Sequence, residues 1–239
     1  DQAALMFVQC VETLGAPAIF YKQLTDRPET CRIFVDLFGR SRYLSELLLN
    51  HPGVLDEVVD RVRTVRRATL ESLLDELRSI LDGVTDENEI ARRIQEFRAL
   101  HFIHIGILDL SGRLPLDRVL VSLSTVARAI LKVIDEICLQ RTMELMGDLQ
   151  VDPENPARHT ILALGRLGGD EVGYASDLDL ILVHDGFGTT ADGQPERVFW
   201  SQHLKAVTEM IGRPGTGGPL YEVDLRLRPD GAGGALVSR

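Results

Sequence analysis

Cysteine is scarce in this chain and never paired by spacing: Cys10, Cys31 and Cys138 stand far apart. That excludes a disulfide framework and a cysteine-based zinc cluster, and fits a reduced, cytoplasmic protein. No stretch has the pattern of a signal peptide or a membrane span, so neither is expected. An excess of positive charge is also missing. With 26 Lys and Arg against 36 Asp and Glu the net charge is −10, which disfavours nucleic acid or an acidic membrane as the main partner. Two common nucleotide signatures are absent as well, because the glycines fit neither GxGxxG nor a P-loop ending in GK[ST]. What remains is 239 residues, 44% of them hydrophobic, enough for one large domain or two smaller ones with real cores.

The most informative stretch is 161–185, ILALGRLGGDEVGYASDLDLILVHD: an apolar strand, a glycine-rich turn and a second strand. In SDLDLILV polar and apolar residues alternate, so Leu178, Leu180 and Leu182 face one side and Asp177 and Asp179 the other. The two acids then lie about 6–7 Å apart along the strand. Carboxylates this close repel, and either one keeps its proton or a cation sits between them, a divalent metal being the usual solution. Mg²⁺ suits carboxylates plus phosphate oxygens. Gly165, Gly168, Gly169 and Gly173 allow a backbone to approach an anion closely.

A third acid follows in YEVDLRLRP, 221–229. Alternation puts Tyr221, Val223, Leu225 and Leu227 on one face and Glu222, Asp224, Arg226 and Arg228 on the other. Asp224 joins Asp177 and Asp179 if the strands are neighbours, and three carboxylates around metal suit displacement at phosphorus. A DxD pair alone reads as a solvated strand face. A glycine turn, DxD and a third strand aspartate together read as chemistry.

GRLGGDEVGYASDLDL resembles the signature of the DNA polymerase beta-type nucleotidyltransferase superfamily, in which a GG or GS turn precedes Dx[DE] and a later carboxylate. With LYEVDLRLRPDGAGGALV the resemblance narrows to the glutamine synthetase adenylyltransferases, bacterial enzymes that attach AMP to a tyrosine of glutamine synthetase and also remove it. FGRSRYLSELLLNHPGVLDEVVD and LDLSGRLPLDRVLVSLSTVARAIL extend the resemblance over nearly the whole chain. It implies Asp177 and Asp179 as holders of Mg²⁺, and Asp224 as the third carboxylate, also a metal ligand, assisting deprotonation of the nucleophile. It further implies that Gly168 and Gly169 cradle the phosphates of ATP through backbone N–H groups, with Ser176 and Arg166 as weaker contributors. Gly169 stands where many superfamily members place serine, which removes one side-chain contact to phosphate. The implied partners are glutamine synthetase and a nitrogen-regulatory protein of the PII type. Such enzymes have two homologous halves. GYASDLDL and LYEVD look more like the adenylylating half; the alternatives are the adenylyl-removing half, which forms ADP by phosphorolysis, a non-catalytic nucleotide-binding or docking module, and a nucleotidyltransferase of another lineage.

The fold class expected is α+β: a helical bundle over 1–150, then a small mixed sheet with flanking helices over 157–239. Helices are expected at 3–14, 17–24, 29–38, 43–50, 54–81, 86–110 and 116–146, with breakers at Gly15, Pro17, Pro28, Gly39 and Pro52. A Pro-rich polar linker at 152–156 marks the domain boundary. Beyond it come strands at 159–164, 177–184 and 220–226, a helix at 196–211, a Gly-rich loop at 212–219 and an extended piece at 235–238. The start without Met and the stop after a strand are those expected of a piece of a longer polypeptide.

Other features have plainer readings. His101 and His104 lie one helical turn apart with no third ligand nearby, and packing or solvent contact is expected of them rather than metal ligation. Arg61, Arg63, Arg66 and Arg67 read as a solvated basic face. Arg226 and Arg228 either neutralise triphosphate charge or pair with Glu222 or Asp179.

Overall fold

The structure, a computed structural model, describes residues 2–13, 17–61, 68–151, 158–185, 188–226 and 237–238. It is α+β, with the helices first and the sheet second. The chain forms two compact units: Asp1–Val126 with Pro214–Gly218, and Ala127–Arg213 with Pro219–Arg239.

The first unit is helical. Its short helices are α1 (Gln2–Thr13), α2 (Pro17–Asp26), α3 (Pro28–Arg40) and α4 (Arg42–Asn50), followed by a 3₁₀ turn at Pro52–Val54 and α5 (Leu55–Arg61). Pro28 occupies the first turn of α3, where its missing N–H costs nothing. Ser41 caps α4 by accepting from the Leu44 N–H at 3.3 Å. At the centre lies α7 (Glu87–Leu110), whose residues are buried all round from Phe97 to Leu108 apart from a part-buried Arg98. A helix apolar on every side belongs in a core. Gly106 lets α4 come close: a Cβ there would stand 2.3 Å from Leu44 Cδ1.

The apolar pattern over 54–81 predicts one helix, and the structure corrects this to two. After α5, a separate α6 spans Leu70–Leu81. Thr69 Oγ1 accepts from the Ser72 N–H at 3.2 Å while Ser72 Oγ accepts from the Thr69 N–H at 3.0 Å. That reciprocal capping box starts a new helix. Arg63, Arg66 and Arg67 fall outside the described residues; Arg61 is ion-paired with Glu57 and Glu76 rather than simply solvated. Asp86 caps α7, its Oδ1 accepting from the Glu89 N–H at 2.8 Å. His101 packs as expected, its ring 4.5 Å from that of Phe97.

The 31-residue α8 (Leu116–Met146) supplies residues to both units. The second unit adds β1 (Gln150–Val151), β2 (Arg158–Ala163), the single-turn α9 (Gly165–Gly168), β3 (Leu178–Asp185), β4 (Gly188–Thr189), α10 (Glu196–Gly212), β5 (Val223–Asp224) and β6 (Val237–Ser238). The expected linker at 152–156 lies outside the described residues. β2 runs antiparallel along one edge of β3, Ala163 opposite Leu180 and Arg158 opposite Asp185. The other edge of β3 takes β5 and then β6, both parallel to it. Leu178, Leu180 and Leu182 are buried to 1%, 0% and 0% exposure, so the alternating face meets the core as read. Leu182 packs there with Phe199, Trp200, Leu204 and Val237.

Two local expectations change. β5 is two residues long rather than spanning 220–226, because the Asp224 carboxylate accepts the Arg226 N–H at 2.8 Å and curls the chain out of the ladder. Between the expected strand at 177–184 and the helix at 196–211 stands a strand that sequence reading did not foresee, β4, which pairs antiparallel with β1.

Candidate active site

The mixed sheet brings the three acids together through its register. Asp179 on β3 pairs directly with Asp224 on parallel β5, so their side chains leave the same face from strands about 4.8 Å apart. Asp177 precedes buried Leu178 and is exposed, on the side of half-buried Asp179. Leu178 itself is tied across by donating its N–H to the Glu222 carbonyl at 2.8 Å. Arg226 reports on all three acids: its guanidinium is held above the ordinary arginine range by Asp224 first, then by the charges of Asp177 and Asp179.

Arg226 pairs with Asp224 itself, not with Glu222 or Asp179. Its Nη2 lies 2.5 Å and its Nε 2.8 Å from Asp224 Oδ2. Those hydrogen bonds, with the backbone one, hold the Asp224 carboxyl down to about 2. Arg228 lies outside the described residues.

The glycine turn is built differently from the expectation. The Gly168 N–H donates to the Leu164 carbonyl at 2.9 Å and the Gly169 N–H to that of Gly165 at 3.1 Å. Both donors expected to meet phosphate are used inside the turn, because residues 165–168 wind into one helical turn. Gly165 is the residue that geometry demands. Its φ is +51°, and an added Cβ would stand 2.0 Å from Asp179 Oδ2. The carboxylate of the second DxD acid therefore rests on bare backbone at the start of the turn. Gly168 is also constrained, its would-be Cβ 2.7 Å from the Ala163 carbonyl, whereas at Gly169 the nearest atom is 3.6 Å away.

Ser176 is buried and holds the far side of the loop, accepting from the Gly173 N–H at 2.9 Å and from Arg166 Nη1 at 3.3 Å. Arg128, from α8, clamps the turn from outside: it pairs with Asp170 and donates to the Leu167 carbonyl at 3.1 Å. That pairing holds Asp170 in the left-handed region, φ 60°. Sequence reading missed Arg128, since nothing local in α8 marks a partner 42 residues away. A pocket of about 270 Å³ in the helical unit, lined by Leu73, His101, His104, Leu108 and Arg118 among others, includes none of these acids.

The family model for glutamate-ammonia ligase adenylyltransferase matches residues 31–239. The chain belongs to this family. Its relatives include proteins named bifunctional glutamine synthetase adenylyltransferase/adenylyl-removing enzyme. The one from Methylococcus capsulatus is 28% identical over 97% of this chain and 26% of its own length. That from Pasteurella multocida is 29% identical over 95% of this chain and 24% of its own length. That from Burkholderia mallei is 30% identical over the whole of this chain and 24% of its own length. The chain thus spans about a quarter of the glutamine synthetase adenylyltransferases it matches. Among the described residues no helix is long and apolar enough to cross a membrane.

Proposed function

We propose that the second unit is a nucleotidyl-transfer site that moves AMP from ATP to a tyrosine hydroxyl of glutamine synthetase, with pyrophosphate leaving. The observation that carries this reading is the register of Asp179 against Asp224, beside a glycine turn that leaves room for the Asp179 carboxylate. Asp177, Asp179 and Asp224 offer oxygen donors only, which fits Mg²⁺. When bound there, the ion supplies neutralising charge for the triphosphate.

The residues of the chain do the positioning. Asp224 is held ionised by Arg226, available as a hydrogen-bond acceptor that orients the attacking hydroxyl and assists its deprotonation. Arg226, 81% exposed at its side chain, is placed to leave Asp224 and meet phosphate oxygens once another cation takes over that carboxylate. Arg166 is exposed at the turn and adds a second cation, steered by Ser176. In phosphoryl-type transfer, such positioning and charge neutralisation make up most of the catalysis. Assignment to the adenylylating half rests on the resemblance of GYASDLDL and LYEVD to that half.

The test is incubation of the chain with α-labelled ATP, Mg²⁺ and unmodified glutamine synthetase, beside a reaction with adenylylated enzyme and phosphate. Label on glutamine synthetase, lost in Asp177→Asn, supports the reading. ADP release in the second reaction alone assigns the chain to the adenylyl-removing half instead. Label retained in a folded Asp177→Asn variant refutes the role given to that acid.

A further inference from the structure

Three side chains from three elements of the second unit converge away from the acids. Asp135 on α8 faces His159 on β2 and His203 on α10. Its Oδ1 lies 2.8 Å from His203 Nε2 and 3.0 Å from His159 Nε2, and its Oδ2 lies 3.2 Å from His159 Nε2. One ligand atom from each residue lies within 4.8 Å of the others. The rings are fixed by packing: His159 lies 4.7 Å from the Trp200 ring, and His203 stands edge-on 6.0 Å from Trp200 and 4.9 Å from His159. His203 is fully buried, while Asp135 keeps 24% and His159 12% of its side chain exposed. The cluster is thus closed at one end and reachable at the other.

The polar balance of this cluster is incomplete. The Nδ1 atom of His203 is buried with no hydrogen-bond partner, so Nε2 makes the only polar contact of that ring among the described residues. Two imidazole nitrogens and a carboxylate oxygen so close together, on side chains three-quarters or more buried, make a ready set of metal-ligand atoms.

We infer that Asp135, His159 and His203 form a site for a borderline divalent transition-metal ion, zinc being the expected occupant, which fastens α8 and α10 to the sheet. Two imidazole nitrogens and one carboxylate suit zinc-like ions and suit Mg²⁺ poorly. Tetrahedral bonds of about 2.0–2.1 Å place ligand atoms about 3.3–3.4 Å apart, so the two Asp135–histidine pairs open by roughly half an ångström while the imidazole nitrogens, within 4.8 Å of each other, settle to the same spacing by side-chain rotation. The site is separate from the acids: His159 pairs with His184, about 17 Å along β3 from Asp179. Its role is therefore structural, independent of the transfer reaction.

The probe is Co²⁺, titrated into the chelator-treated chain with Mg²⁺ in large excess to fill oxygen-only sites. The expected result is one equivalent bound with the intense visible absorption of low-symmetry cobalt, displaced by zinc and weakened ~10–100-fold in His159→Gln and His203→Gln. His159→Gln sits at a partly open strand position and guards against a variant that fails to fold. Absence of stoichiometric Co²⁺ binding in the wild-type chain overturns the inference. So does binding unchanged in both histidine variants, since Asp135 is then only a hydrogen-bond acceptor.

Discussion

Alanine at each of the three turn glycines separates steric demand from phosphate contact. At Gly165, alanine must hold φ near +51°, which costs about 1–2 kcal/mol for a residue with a Cβ. Its methyl also lands 2.0 Å from Asp179 Oδ2. That oxygen ends a short, rotatable side chain, so the carboxylate moves and the backbone stays. Gly165→Ala is therefore expected to lose about 1–2 kcal/mol of stability while metal-dependent ATP binding falls at least tenfold. At Gly168 the clash is with the Ala163 main-chain carbonyl, 2.7 Å away, and β2 cannot yield without breaking its pairing. That variant is expected to lose about 1–3 kcal/mol, the cost of overpacking, a fall of roughly 2–12 °C in Tm at about 2–4 °C per kcal/mol. At Gly169 the nearest atom is 3.6 Å away, and alanine should leave stability within about 0.5 kcal/mol. Urea unfolding and ATP titration with Mn²⁺ read the two effects separately. Gly169→Ala as damaging to stability as Gly168→Ala, or Gly165→Ala binding ATP normally, would refute the reasoning.

Three further outcomes follow from packing and charge. Gly106→Ala in α7 gains about 1 kcal/mol of helix propensity but drives a methyl to 2.3 Å from enclosed Leu44 Cδ1, an overpacking cost of about 1–3 kcal/mol; a net loss of about 1 kcal/mol in urea unfolding is expected. Glu76 is buried enough to favour its neutral form, yet His101 and then Arg61 pull its carboxyl below the ordinary 4.5. A depressed carboxylate stabilises above its unfolded value, so the gap between wild type and Glu76→Gln should be full near pH 6 and shrink as pH falls below about 4.5; a gap that widens on acidification contradicts this. Burial raises the Cys10 thiol to about 11, so iodoacetamide at pH 8 should label the half-buried Cys31 first, as peptide mass mapping would show.

Much of the site was legible because period-two alternation is a local property. Leu178 and Leu180 against Asp177 and Asp179 fixed which face carries acid before any strand partner was known, and the helices over 116–146 and 196–211 followed from periodicity in the same way. What was not legible depended on partners distant in sequence or on competing local bonds. The N–H groups of Gly168 and Gly169 look free in a glycine turn until the turn winds into a helix. Arg226 reaches back two residues to Asp224, where alternation suggested a neighbouring acid. The break at Thr69 hides inside a continuous apolar pattern, since a capping box shows as two ordinary residues. Asp135, His159 and His203 lie 24 to 68 residues from one another along each contact, and only the pairing of β2 and the packing of α10 bring them together.

The central claim is that Asp177, Asp179 and Asp224 act as one metal-dependent nucleotide site. Its most direct measurement is the affinity for ATP with Mn²⁺ and with chelator, in wild type and in Asp224→Asn. The wild-type chain is expected to bind ATP at least tenfold more tightly with the metal, and Asp224→Asn, still folded, to lose that difference. A folded Asp224→Asn variant that keeps the full metal dependence would contradict the account, because the β3–β5 register would then join residues that do not work together.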